Sequence, residues 1–141
     1  MQEFESRDFS SFNDFFTRRF QAGARHFVNM PDQMPAFCEG RYFAFSKVVA
    51  KAPLPVKGVW LDAEALLEKP EWVRIFDGGP GFIARLCPVD YHRFHFPDVG
   101  KKISRYRCSG PLHSVNPIAL RTKPDILVTN ERMVTILETE H

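Results

Sequence analysis

The chain has 141 residues, a formal net charge of +2 at pH 7, fourteen Phe, eleven Pro and three Cys. That length suits one domain with a modest core; the charges form no basic tract, which removes nucleic acid as the expected partner, and no window reaches the roughly 20 apolar residues of a membrane span. Cys38, Cys87 and Cys108 are widely spaced and odd in number, so they are expected as small buried hydrophobes in a reducing compartment rather than as a disulfide framework.

Met1–Ser6 is acidic and has no apolar h-region, so no signal peptide is expected. Ser10–Phe20 carries helix signals: a serine N-cap, Asp14 in the first turn and basic residues at the end. Phe12, Phe15, Phe16, Arg19 and Phe20 fall on i, i+3, i+4, i+7 and i+8, an amphipathic stripe suited either to docking on its own domain or to resting on a lipid surface. After the Pro-punctuated connector Met30–Pro35, Arg41–Val49 has the aromatic and β-branched content of a strand following a turn at Glu39-Gly40. Leu54–Trp60 reads as a short extended piece, and Asp62 as the cap of a brief helix over Ala63–Glu68 with Pro70 beyond its end. Gly78-Gly79-Pro80-Gly81 lacks the spacing of a phosphate-binding loop and reads as a tight turn into the buried strand Gly81–Pro88. Ile103–Cys108 alternates with period two, Ser109–Pro117 is a polar loop, and Asp125–Thr129 with Met133–Glu138 reads as a hairpin across Asn130-Glu131-Arg132. The expected class is α+β, a single domain over 1–141 with a helical part at about 8–30 and a mainly antiparallel β-rich core at about 36–141.

The densest chemistry lies in Asp90-Tyr91-His92-Arg93-Phe94-His95-Phe96-Pro97, where the strand runs out. An Asp beside imidazoles can fix a tautomer and raise basicity, which suits a general base near neutral pH. In an extended segment Asp90, His92 and Phe94 share one face and Tyr91, Arg93 and His95 the other, so the two histidines are expected to point apart. A packed, hydrogen-bonded strand end is the competing reading. A metal site on His92, His95 and Asp98 is weaker, because zinc sets need three or four convergent donors.

Several segments together resemble the phosphatidylserine decarboxylase family. They are Phe12–Arg18, Glu39-Gly40-Arg41, Val56-Lys57-Gly58, the long run Arg85-Leu86-Cys87-Pro88-Val89-Asp90-Tyr91-His92-Arg93-Phe94-His95, Ser114–Pro117 and Thr129–Arg132. The resemblance runs from about Ser11 to His141 and implies a pyruvoyl-dependent enzyme that converts phosphatidylserine to phosphatidylethanolamine at a membrane surface. In such proteins a serine of a Gly-Ser motif attacks the preceding carbonyl, the chain splits, and the new N-terminal residue becomes the pyruvoyl group, which supplies the electron sink when carbon dioxide leaves. The resemblance assigns self-cleavage to an Asp-His-Ser arrangement with Asp90 as the acid and His141 as the base. It implies that His92 and His95 shape the substrate pocket or hold its loop, with His113 in a loop near that pocket, and that Phe12, Phe15, Phe16 and Arg19 lie against the membrane.

Two departures stand out. His113 occupies a place where the family usually has Tyr, and the sequence contains no Gly-Ser dipeptide, only Ser109-Gly110. The chain is therefore expected to be the N-terminal part of the larger, non-pyruvoyl subunit, inactive alone, peripheral on a cytoplasmic membrane face. Its expected partners are phosphatidylserine, the membrane surface and the missing C-terminal part or small pyruvoyl subunit, with a homodimer possible. The rival expectation is a non-enzymatic lipid-surface relative that has lost the catalytic end.

Overall fold

A computed structural model describes residues 3–28, 30–51, 54–56 and 59–140. Its elements in chain order are α1 (Phe12–Phe16), β1 (Arg41–Phe45), β2 (Leu54–Val56), β3 (Val59–Leu61), α2 (Ala63–Leu67), α3 (Pro70–Phe76), β4 (Gly81–Arg85), β5 (Gly100–Cys108), α4 (Pro117–Thr122), α5 (Ile126–Thr129) and β6 (Arg132–Thr139). The strands pair two by two: β1 with β4, β2 with β3 and β5 with β6. The α+β class holds, with short helices set between small sheets. The chain divides into two compact units, one drawing residues up to Phe43 together with Phe82–Gly100 and the residues from Thr139, the other formed by Ala44–Gly81 and Lys101–Glu138.

In the first unit Ser11 caps α1 as its sequence predicts, its hydroxyl accepting from the Asp14 N–H at 3.1 Å. The helix is shorter than the Ser10–Phe20 run. Residues 19–21 are drawn instead into a ladder with the N-terminal arm, where Glu5 N–H donates to Arg19 O (3.0 Å), Gln21 N–H donates to Glu3 O (2.9 Å), and Phe4 and Phe20 form an antiparallel bridge with stacked rings. An extended ladder cannot continue a helix, so Arg19 and Phe20 leave the predicted stripe. Arg18, 7% exposed, packs its guanidinium over the Phe4 and Phe15 rings at 4.2 and 4.8 Å and donates to Phe15 O and Val89 O. Two ring faces and two carbonyls offset its desolvation in place of a carboxylate.

The second unit holds most of the buried aliphatic core: Leu61, Leu120, Ile126 and Ile136, with the Cys108 thiol among them and pushed up in pKa by that burial. β2 and β3 run antiparallel with Leu54 opposite Leu61. Asp62 caps α2 through Oδ1, which accepts from Glu64 N–H at 2.8 Å. Pro70 does not merely lie beyond α2; it starts α3 at a first-turn position, where its missing N–H costs nothing. Asn116-Pro117 does the same for α4, with Asn116 Oδ1 accepting from Ala119 N–H at 2.8 Å. The tight turn at Gly78-Gly79 is present: Gly78 adopts φ 79°, and it and Gly79 exchange backbone bonds with Val48 at 2.8 and 2.7 Å.

The expected hairpin between Asp125–Thr129 and Met133–Glu138 is corrected. Residues 126–129 form the single turn α5, and β6 pairs with β5. Ile126 is 2% exposed, so burying it anchors the turn. The residues that follow are committed to long-range bonds. Asn130 brackets His113, its Oδ1 accepting from His113 N–H (3.0 Å) and its Nδ2 donating to His113 O (2.8 Å). Arg132 donates to backbone carbonyls of α2 and to Val128 O and Asn130 O. A tight β-turn at 130–132 would have to give up those partners.

Candidate active site

The Asp90–Pro97 segment lies wholly in the first unit, and its shape is set by the backbone of one residue, Cys87. Cys87 N–H donates to Asp90 Oδ2 (2.5 Å), while Cys87 O accepts from Asp90 N–H (2.9 Å) and from the His92 imidazole at Nε2 (2.8 Å). The Asp90 carboxylate thus closes the turn at the strand end, and the hydrogen bond of His92 runs to a carbonyl. Because a carbonyl only accepts, Nε2 carries a proton, and Nδ1 is the ring nitrogen left to face other groups. Phe16 stacks on the same ring, with centroids 3.8 Å apart and planes 22° apart.

His95 is held by its backbone: its N–H donates to Phe37 O at 2.9 Å beside an antiparallel bridge between Cys38 and Phe94. Phe27 meets its ring edge-on at 4.7 Å. Tyr42 steadies that neighbouring segment, its hydroxyl accepting from Cys38 N–H (3.0 Å) and donating to Cys38 O, and burial pushes its phenol up in pKa. Only Phe94 makes a strand-like bridge, so strict alternation fails. His92 and His95 border one open groove of about 720 Å³, bounded by Thr17, Arg19 and Phe20 and by the run Tyr91–His95.

The groove wall contains two guanidinium groups and no carboxylate. Arg93, half-buried, is fixed by its Nε, which donates to Thr17 O at 2.6 Å. That bond locks the DYHRFH segment to the end of α1. Arg19 is exposed, and its side chain has no protein partner among the described residues. Spacing gave no sign of either role, because Thr17 and Arg93 are 76 positions apart.

The other expected site residues fall elsewhere. Phe12 is 77% exposed, whereas Phe15 lies edge-on to Phe9 and beside Arg18, and Phe16 is occupied by His92. His113 belongs to the second unit, in the loop that Asn130 grips. His141 lies outside the described residues. Among those described, no three His, Cys, Asp or Glu side chains gather as a metal site, and Asp98 caps Val99 N–H at 2.7 Å. No helix among them is long and apolar enough to cross a membrane.

Residues 12–141 match the phosphatidylserine decarboxylase family. The chain belongs to that family. It is 36% identical to the phosphatidylserine decarboxylase proenzyme of Ruminiclostridium cellulolyticum over 99% of its own length and 46% of the relative's. It is 38% identical to the proenzyme of Clostridium novyi (95% and 45%) and 36% identical to that of Desulfitobacterium hafniense (96% and 45%). The chain spans about half the length of the curated relatives it matches. Within this decarboxylase-family chain, the matched stretch takes in α1, the groove, and both the Asn130 and the Arg132 contacts.

Proposed function

We propose that this chain supplies the N-terminal, substrate-gripping part of a phosphatidylserine decarboxylase, the non-pyruvoyl portion of an enzyme that releases carbon dioxide from phosphatidylserine in phospholipid synthesis. The observation that carries the reading is the Asp90–His95 groove inside a family match covering residues 12–141. A pyruvoyl group would supply the electron sink. The sequence has no Gly-Ser dipeptide, so its own residues do not provide the precursor of that group. This chain's part lies in binding and proton handling. The cationic wall attracts the anionic lipid, and His92, with Nε2 on Cys87 O, offers Nδ1 to take a proton from a group presented in the groove. His95 borders the same groove, and His113, within the second unit, is a separate proposed substrate contact.

The accessible surface supports a covering partner. Leu112 and Ile118 of the second unit are 82% and 70% exposed. The polypeptide corresponding to the relatives' remaining half is the proposed cover. The purified chain alone is expected to release no carbon dioxide from phosphatidylserine vesicles; steady release would refute this.

Asp90 and His141 are the proposed acid and base of self-cleavage in a longer form that carries a Gly-Ser motif. Asp90→Asn separates charge from geometry, since an Asn side-chain oxygen can still accept from Cys87 N–H. If the charge orients the base, the Asn variant stays uncleaved. Two subunits on a gel would reduce Asp90 to turn closure.

A lipid-surface role, with Phe12, Phe15, Phe16 and Arg19 facing a cytoplasmic membrane leaflet, is favoured by the exposure of Phe12. Vesicle sedimentation of Phe12→Asp is the clean test, because Phe15 and Phe16 also pack within the unit. Unchanged binding would remove α1 from the interface. Sedimentation of the wild type without any decarboxylation by a completed form would favour the non-enzymatic relative.

A further inference from the structure

We infer that the groove bounded by Arg19 and Tyr91–His95 is a phosphodiester site, in which the Arg19 and Arg93 guanidinium groups grip the phosphate that links a lipid headgroup to its glycerol. The inference rests on the decarboxylase reading above and adds how the substrate is held.

Charge accounting within the first unit leads to it. Arg7 is bound by Asp14 (2.5 Å), and Arg25 by Glu3 (2.7 Å) and Glu39 (2.5 Å), so those cations are already met by carboxylates. Arg18, Arg19, Arg41, Arg85 and Arg93 have no carboxylate partner among the described residues, and of these only Arg19 and Arg93 border the groove, whose lining has no acidic side chain. Arg93 uses Nε on Thr17 O and has no protein partner for its two terminal nitrogens among the described residues. A guanidinium fixed at Nε and open at both terminal nitrogens presents a planar pair of donors, the geometry that matches two oxygens of one phosphate. Arg19 adds a second, unencumbered charge. The His92 ring is held at Nε2 by Cys87 O, so that nitrogen is not available to the phosphate and the arginines supply the paired donors.

The rim points to a lipid rather than a free ion. Phe94 borders the groove and is 72% exposed, with Phe96 beside it at 47% and their centroids 6.4 Å apart. Apolar surface at the mouth of a cationic groove matches a molecule whose phosphate is followed by acyl chains.

The test is a titration of the purified chain with glycerophosphoserine, inorganic phosphate and free serine, followed by the imidazole resonances of His92 and His95. Glycerophosphoserine is expected to shift both saturably, more weakly at higher ionic strength, while serine does not. Arg19→Gln, at an exposed site without a protein partner, is expected to weaken binding about tenfold, and Arg19→Lys to recover part of it. No shift, or equal affinity in Arg19→Gln, overturns the site. Inorganic phosphate binding as tightly as the diester overturns the lipid assignment. In a longer form carrying the Gly-Ser motif, Arg19→Gln is expected to raise KM for phosphatidylserine and leave kcat unchanged. Decarboxylation indifferent to Arg19 sinks the site but keeps the enzyme, whereas diester binding without any decarboxylation keeps the site and sinks the enzyme.

Discussion

Replacing Arg132 by Ala should be among the most damaging single changes in the second unit. Its side chain is 13% exposed and donates to five acceptors: Leu66 O (2.8 Å), Ala65 O (2.7 Å), Val128 O (2.7 Å), Asn130 O (3.1 Å) and Glu68 Oε1 (2.7 Å). Ala65 and Leu66 carry carbonyls in the last turn of α2, and Val128 one at the end of α5, groups that a helix leaves unsatisfied. One cation therefore meets the negative ends of two helices. At about 1 kcal/mol net per bond, discounted because Glu68 is half exposed and water can reach some carbonyls, the loss comes to about 3 kcal/mol. With a urea slope of about 1.5–2 kcal/mol/M, the midpoint should fall by about 1.5–2 M. Arg132→Lys keeps the charge but not the fork, and should lose about 2 kcal/mol. Glu68→Gln should cost under about 1 kcal/mol if the carbonyls dominate. A midpoint for Arg132→Ala within about 0.3 M of wild type, or a larger effect at Glu68, would refute the reasoning.

Three further outcomes follow from the contacts described. Phe16→Ala removes the ring stacked on His92 and should cost about 2 kcal/mol, with loss of the ring-current shift on the His92 protons; unchanged proton shifts would show that the stack is absent in solution. Gly110→Ala would place a Cβ 2.0 Å from Thr129 O and 2.9 Å from Glu131 N, so it should destabilise by at least about 2 kcal/mol in a thermal melt, and a wild-type melting temperature would contradict that approach. Asp14 is held well below its usual pKa, first by the hydrogen bond from Arg7 and then by Ser10 N–H. Its stabilising contribution is therefore present above the ordinary carboxylate pKa of about 4 and lost only as pH falls through the lowered value. The Ser10 amide should keep its protection from pH 7 to about pH 4, and loss near pH 5 would reverse the sign.

Local signals were legible because they are closed within a few residues. Ser11 and Asp62 cap their helices through N–H groups three and two positions on, and the Gly78-Gly79 turn declares itself by composition. What escaped the sequence is what distant partners decide. The Ser10–Phe20 run has helix signals throughout, yet a ladder from Glu3–Glu5 takes its last residues. The apolar Ile126–Val128 run suits a strand by content, but the bonds from Asn130 and Arg132 to places 17 and 66 positions away make it a helical turn. Pro70 and Pro117 read as breaks because the same residue ends one helix and begins another, and only the following N–H pattern distinguishes the two.

The candidate site divides along the same line. Its spacing is local: Cys87, Asp90 and His92 are positioned so that one residue, Cys87, can be held at its N–H by the carboxylate and at its carbonyl by both the Asp90 amide and the imidazole. An Asp three residues on can reach back to that N–H, and a His five residues on can reach the carbonyl once the turn is closed. This explains why the polar residues come as a block directly after β4. The tautomer of His92 follows from the carbonyl. The expected pairing of Asp90 with a neighbouring imidazole does not: His92 Nε2 bonds to Cys87 O, and Asp90 Oδ2 accepts from Cys87 N–H. The groove, by contrast, needs Thr17 to fix Arg93, Phe16 to cover His92 and Phe37 to hold His95, three contacts across 76, 76 and 58 positions. A motif search therefore finds the turn, while the groove wall with its two arginines emerges only when α1 and the Phe37 segment are folded against it.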